Sequence, residues 1–251
     1  MARALNAQGR GSTIAFWDED GAEARDVLNA CLESAAALGS ETLDCYLSVK
    51  PPSVQYSAEA LLRVIDKCKR SKTRLHFDSQ GIDSAEPTRA LLESLLPHYA
   101  NISFTLPGRW GRSLEDAEWA VNRGVGVRVV KGQWADPAMP ERDPHRGFLE
   151  VIGRLAGGTS PVAVATHNPD LAAPALERLV KAGTPCELEL LFGLPSKAVM
   201  KIAGAMGVRT RVYVPYGYGW LPYSLAQARK NPRILWWMLK DAMLRNPEAV
   251  I

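Results

Sequence analysis

The 251-residue chain is short of the features that usually decide a protein's class at a glance. Its four cysteines, Cys31, Cys45, Cys68 and Cys186, are scattered and form no CxxC pair. That argues against zinc-ribbon and dithiol-redox chemistry and leaves free thiols, expected to be buried. No run approaches the roughly 18 apolar residues needed to cross a bilayer. Residues 1–13 hold two arginines but no apolar stretch of a secretory leader, so a reducing cytoplasm is the expected location. An excess of charge of one sign is missing too: 30 Lys and Arg against 27 Asp and Glu give a net +3 without a dense basic run. Nucleic acid is therefore not an expected partner. No GxGxxG turn follows the first apolar segment, which weighs against an open dinucleotide-binding sheet. No linker rich in Gly, Ser or Pro divides the chain.

What the chain does have is a regular beat. Eight short segments rich in β-branched, Leu and aromatic residues recur at 13–17, 44–49, 74–77, 102–106, 125–130, 162–165, 187–191 and 211–215. Between them lie stretches of helical periodicity at 22–38, 58–68, 87–96, 115–123, 147–155, 170–181 and 197–206. Ser57 and the Asn168-Pro169 pair mark two helix starts. Alternation of this kind makes neighbouring strands parallel, and eight such units in about 250 residues predict an α/β (β/α)8 TIM-like barrel. The expected division is a flexible N-terminus at 1–12, the barrel at 13–230 and a further helix at 231–251. Within that last stretch, Arg233 to Lys240 is apolar on most of its circumference. Such a helix is expected to pack on the barrel or on a second copy of the chain, making a homo-oligomer; a membrane-surface contact is the weaker alternative.

In this fold the chemistry sits at the C-terminal ends of the strands. Those ends carry Asp18 and Glu19, Lys50, Asp78, Arg128 with Lys131, Thr166-His167-Asn168, Glu189 and Tyr213. Any one of them is unremarkable at a polar barrel mouth, but together they form a ring of mixed charge suited to a ligand. His76 and Asp78, two apart on a strand, share a face as metal ligands would, yet no second histidine has that spacing, and no metal is expected. Lys131 allows a Schiff-base alternative. Arg128 and Lys131, three apart, project from opposite faces of their strand and so act as separate anchors.

The segments VRVVKGQW (127–134), VAVATHNP (162–169), ELELLFG (187–193) and VRTRVYVPYGYGWLPY (208–223) resemble, in order, the signature segments of the proline dehydrogenase family. YLSVK (46–50) and LHFDS (75–79) fit the family's earlier strands, so the resemblance runs from about residue 12 to residue 232. It implies a distorted (β/α)8 barrel that binds FAD and removes hydride from an amine carbon next to nitrogen. On this resemblance Arg128 lies beside the flavin ring, and Lys131, Gly132 and Trp134 run along the cofactor, with Trp134 in place of a family tyrosine. Thr166, His167 and Asn168 match the stretch that contacts the ribityl, diphosphate and adenosine parts, and Glu189 also falls on the cofactor side. Lys50, Asp78, Tyr213 and Tyr223 match the catalytic, substrate-side residues.

The chain departs from the family where the substrate's carboxylate is held. Two adjacent family arginines are replaced by Ala226 and Gln227, and a nearby glutamate by Lys230. Gln227 and Lys230 are the remaining substrate-binding candidates at those positions, and Arg229 lies a helical step away. Charge-assisted hydrogen bonds are worth roughly 1.5–3 kcal/mol each. Losing two lowers the affinity for a carboxylate by about two to four powers of ten. Two family glutamines near the flavin are matched by Pro107 and Glu189. The expectation is thus an FAD-dependent oxidoreductase that dehydrogenates a secondary or cyclic amine, proline-like but without a free carboxylate, by hydride transfer to the flavin N5, with the electron acceptor unspecified. The alternatives are a proline dehydrogenase with a rearranged carboxylate anchor and a barrel that binds a ligand or protein without redox turnover.

Overall fold

The computed structural model describes residues 1–18 and 21–217. Eight strands, β1 (Gly11–Phe16), β2 (Cys45–Val49), β3 (Leu75–Phe77), β4 (Ile102–Pro107), β5 (Gly126–Val130), β6 (Val162–Ala165), β7 (Cys186–Leu191) and β8 (Arg209–Tyr216), close into a barrel in sequential order. Every neighbouring pair is parallel, including the closing pair β1–β8. The helices between them are α2 (Ala24–Gly39), α3 (Ala58–Ser71), α4 (Ala85–Leu95), α5 (Ser113–Arg123), α6 (Pro144–Leu155), α7 (Pro169–Lys181) and α8 (Lys197–Ala205). All eight strand positions read from the sequence are occupied by strands. Ser57 and Asn168 cap α3 and α7 by accepting the backbone N–H groups of Ala60 and Asp170. The sequence pattern starts α6 three residues late, because Asp143 caps the helix and Pro144 opens it.

One expectation fails at the start of the chain. Residues 1–12 are not a flexible tail: α1 (Ala2–Ala7) forms there, Leu5 is 1% exposed, and β1 already begins at Gly11. The burial of Leu5 ties this short helix down, which a single leucine among alanines, Arg3 and Asn6 does not reveal. The C-terminal helix expected over 231–251 lies outside the described residues. Among the described residues no helix is long and apolar enough to cross a membrane. The four cysteines are free; three are buried as expected, whereas Cys186 is only half-buried.

Strand alternation sorts the side chains into two sets. Leu47, Leu75, Ile102, Phe104, Val127, Val129, Val162, Val164, Leu188 and Leu190 belong to one continuous apolar core with the helices. The residues between them are largely polar and point into the barrel: Thr13, Ser48, His76, Ser103, Thr105, Arg128, Glu189 and Arg211 are all buried. Register aligns them, pairing Ser48 with His76, His76 with Ser103, and Thr105 with Arg128. Where a barrel of this class usually stacks branched aliphatic layers, this one is filled with hydrogen-bonded and charged groups.

The N-terminal end of the interior is closed by Arg211, which is 1% exposed. Its guanidinium lies 3.4 Å from the centroid of the Tyr46 ring and donates to Glu187 (2.8 Å), Asp44 (2.9 Å) and the Ser12 carbonyl (2.7 Å). Gly11 makes room for it, since a Cβ there would stand 2.7 Å from the Arg211 Cζ. This plug leaves the opposite end as the open one.

Candidate active site at the barrel mouth

At the open end, the ends of β3, β5, β7 and β8 bring four side chains together that lie up to 135 residues apart in sequence. Arg128 is 4% exposed and sits between two carboxylates. Its Nε and Nη2 donate to the two oxygens of Glu189 at 2.7 Å each, and its Nη1 donates to Asp78 Oδ1 at 2.5 Å. Asp78 Oδ2 accepts from the Tyr213 hydroxyl and from Ser48 Oγ, both at 2.7 Å. The Tyr213 oxygen in turn accepts from Trp17 Nε1 at 3.0 Å, and Thr13 donates to Glu189 at 2.8 Å. The Arg128 guanidinium also lies 5.0 Å from the Tyr213 ring centroid, a cation–π distance.

The charges of this cluster are held by one another. Burial opposes ionisation of Asp78, but Arg128 and the donated hydrogen bonds outweigh it and hold the carboxyl well below its usual range. Glu189 is likewise lowered, because the Arg128 charge overcomes the cost of burial. Burial and the neighbouring Asp78 charge push the Tyr213 hydroxyl well above its ordinary value. His76, directly beneath, is lowered to about 4 by burial and by Arg128. Its two nitrogens lie 2.8 Å from Ser103 Oγ and Thr105 Oγ1. At neutral pH the site therefore holds ionised Asp78 and Glu189, charged Arg128, and neutral Tyr213 and His76. Asp78 cannot serve as a proton acceptor there; it is a fixed charge.

Above the cluster opens a cavity of about 470 Å3, within the usual range for small-molecule sites. Val130, Ala165, Leu190 and Leu191 give it an apolar wall, and Gln80, Gln133 and Thr166 supply polar groups. Lys50 lines the opposite side and is paired with Asp18 at 2.6 Å, with its ammonium 5.3 Å from the Trp17 ring centroid. Trp134 stands at the edge with 42% of its surface exposed, a flat apolar face on the rim.

Of the candidates read from the sequence, Lys50, Asp78, Tyr213, Arg128, Gly132, Trp134, Thr166, His167 and Glu189 all line this cavity. Lys131 does not: it directly follows β5 and its side chain is exposed rather than part of the cavity lining. The Asn168 side chain is used as the α7 cap and is absent from the lining. His167 presents its ring to the cavity, but its Nδ1 lies 2.8 Å from the Pro195 carbonyl and its Nε2 accepts from the Leu191 N–H at 2.9 Å. Both nitrogens are thus engaged within the protein, and burial lowers its pKa. Tyr223, Gln227 and Lys230 lie outside the described residues, as does Glu19. Among the described residues no group of His, Cys, Asp and Glu is arranged to hold a metal ion.

Sequence reasoning missed Trp17, Ser48, Thr13 and Thr105, which position Tyr213, Asp78 and Glu189. The signal was present in strand parity: each occupies an inward position two residues from another polar one or from a strand end. It also missed Arg109. The Arg109 Nε is buried without a hydrogen-bond partner among the described residues. The Arg109 Cβ lies 3.3 Å from the point where a side chain on the cavity-lining Gly132 would begin. An orphaned cationic donor beside the rim suits an anionic group, as does a wall of apolar strand ends for a flat ring. The donor set thus fits a flavin dinucleotide.

No protein-family profile matches the chain. Among curated proteins it is 24% identical over 257 residues to proline dehydrogenase 1 of Bacillus subtilis, covering 95% of this chain and 84% of that one. It is 24% identical over 220 residues to the proline dehydrogenase of Deinococcus radiodurans, covering 80% and 70% of the two chains. Among solved structures, proline utilization A (PutA) from Bdellovibrio bacteriovorus superposes with a TM-score of 0.72 at 15% identity over 86% of this chain. PutA from Corynebacterium freiburgense gives 0.72 at 17% identity over 92% of this chain. The chain spans only 29% of either PutA.

Proposed function

From the kinship of this chain with the proline dehydrogenases, we propose that it is an FAD-dependent oxidoreductase acting on a small secondary or cyclic amine that lacks a free carboxylate. The observation that carries the reading is the Asp78–Arg128–Tyr213 cluster beneath an open cavity, in a chain related to proline dehydrogenases over nearly its whole length. Gly132, Thr166, Trp134 and Arg109 would hold the flavin at the rim. FAD supplies the two-electron acceptor.

The chain's own residues do the positioning. The substrate nitrogen faces the Tyr213 hydroxyl oxygen, which keeps a free lone pair after donating to Asp78 and accepting from Trp17. When the C–H bond next to nitrogen breaks and hydride leaves, the nitrogen lone pair forms the C=N bond and the substrate becomes a cationic iminium. Positive charge then develops above Asp78 and Glu189, which are already ionised and fixed, so little reorganisation is needed. None of Asp78, Glu189, Tyr213 or His167 is a base poised near neutrality. With no such base among these described residues, the amine loses its own proton to water before hydride transfer, and turnover rises with pH toward the amine's own pKa.

A free carboxylate finds no unpaired cation in the described lining of the cavity. Both cations of the described lining are already paired, Lys50 with Asp18 and Arg128 with two carboxylates. The first test is the visible absorption spectrum of the purified chain incubated with FAD and passed through gel filtration, followed by anaerobic addition of pyrrolidine, L-proline methyl ester or L-proline. A retained flavin band that bleaches with the first two compounds and far more slowly with L-proline is expected. Absence of flavin after incubation with an excess would sink the redox assignment, and faster bleaching by L-proline would sink the substrate class.

A further inference from the structure

The cavity floor carries an uneven charge. Among the described lining residues, Asp18, Asp78 and Glu189 bring three negative charges against the two positive ones of Lys50 and Arg128. Asp18 pairs with Lys50 and Asp78 with Arg128, so the carboxylate in excess is Glu189, the second one on Arg128. Without Glu189, Arg128 would keep a single carboxylate partner, Asp78, and two of its guanidinium nitrogens would be free to meet a ligand. With Glu189 in place, those two nitrogens are bound in a fork at 2.7 Å on each arm. Thr13 braces the carboxylate from β1, and Glu189 is 3% exposed, so the fork does not open by simple rotation into water.

We infer that Glu189 sets the charge class of the ligand: by occupying the fork of Arg128 it makes the mouth cavity a site for cationic ring amines and their iminium products and closes it to carboxylates. The inference uses the proposed function only to identify this cavity as the substrate cavity, and the charge balance stands without a flavin. A carboxylate entering the cavity would have to displace a buried bidentate pair to reach Arg128, whereas a cation meets a net negative floor at once. A unit charge about 6 Å away, at an effective dielectric near 20, changes binding on the order of a hundredfold. Glu189 is a positioning residue in this role, acting through Arg128.

The test uses two ring compounds of opposite charge that cannot form an iminium, N,N-dimethylpyrrolidinium and cyclopentanecarboxylate. Their affinities for the FAD-treated protein are measured by titration calorimetry, with Trp17 and Trp134 fluorescence as a second signal. The unaltered protein should bind the cation at least about tenfold tighter than the anion. Glu189→Gln should reverse the trend, weakening the cation and strengthening the anion, each by about tenfold to a hundredfold, so that the ratio moves by about a hundredfold or more. Glu189→Asp, which keeps the charge, should leave the preference in place. A purely structural role for Glu189 would weaken both ligands together in both variants. The inference is overturned if the unaltered protein binds the anion as tightly as the cation, or if Glu189→Gln leaves the ratio unchanged. Should Glu189→Gln fail to fold, Thr13→Val, which removes the brace on the Glu189 carboxylate, should lower the cation-to-anion ratio, and an unchanged ratio there would overturn the inference. Loss of the flavin with the charge preference intact would defeat the redox assignment and leave this inference standing.

Discussion

Arg128→Met is the sharpest probe of the barrel interior. The substitution keeps most of the side-chain volume but removes a buried cation held by Glu189 at 2.7 Å and by Asp78 at 2.5 Å. Two carboxylates then remain in a site with little water, and breaking a buried pair by removing one partner costs about 3–5 kcal/mol. The cost must depend on pH, and its sign can be worked out. In the unaltered protein both carboxyls sit below their ordinary values, so their contribution is present above about pH 4 and is lost as pH falls further. In the variant, burial without a counter-charge raises both carboxyls, so the native state binds more protons than the unfolded chain above about pH 4. Its stability therefore falls as pH rises. Urea denaturation at pH 5 and pH 7.5 should show a stability gap between the two proteins that widens toward the higher pH, reaching about 3 kcal/mol or more. A gap of equal size at both pH values, or one under about 1 kcal/mol, would refute the buried-charge account.

Two further predictions concern the same interior. His76 is neutral in the folded protein down to about pH 4, whereas an unfolded histidine takes its proton near 6.5. Its folded pKa is depressed, so stability is lost as pH falls between those values, by about 3 kcal/mol in all. His76→Gln should flatten the loss between pH 6.5 and 5, with His167 retaining a smaller share; an unchanged slope in denaturation midpoints would contradict the assignment. At the other end of the barrel, Gly11→Ala places a Cβ 2.7 Å from a guanidinium that Glu187, Asp44 and Tyr46 prevent from moving. A loss of about 1–3 kcal/mol is expected. Gly204→Ala, in α8 with nothing within 4 Å of the added carbon, should gain about 0.5–1 kcal/mol by thermal or urea unfolding.

Much of the fold was legible because two periods do not interfere. A run such as 162–165, short, rich in valine and preceded by Pro161, reads as a buried strand, and stretches such as 170–181 bury one face at helical spacing. Helix edges were less legible, since α6 starts where Asp143 and Pro144 cap it and the apolar pattern only appears later. α1 was hidden for a different reason: its stability rests on one buried leucine meeting the barrel, a tertiary contact that six residues of sequence do not encode. The candidate site was half legible. Strand-end position alone placed Lys50, Asp78, Arg128 and Tyr213 at the mouth, but strand-end position equally nominated Lys131, which faces solvent.

By itself, then, the sequence determined which residues sit at strand ends and on which face, because alternation along a strand is a local property of the backbone. Only the tertiary structure decided that Glu189 occupies Arg128. Residues 61 positions apart on strands two places apart in the barrel meet only when the sheet closes and sets its register. The same closure decides that Asp78 is a fixed charge and that His76 is neutral. Burial and neighbouring charge shift ionisation, and neither quantity exists until the barrel has formed.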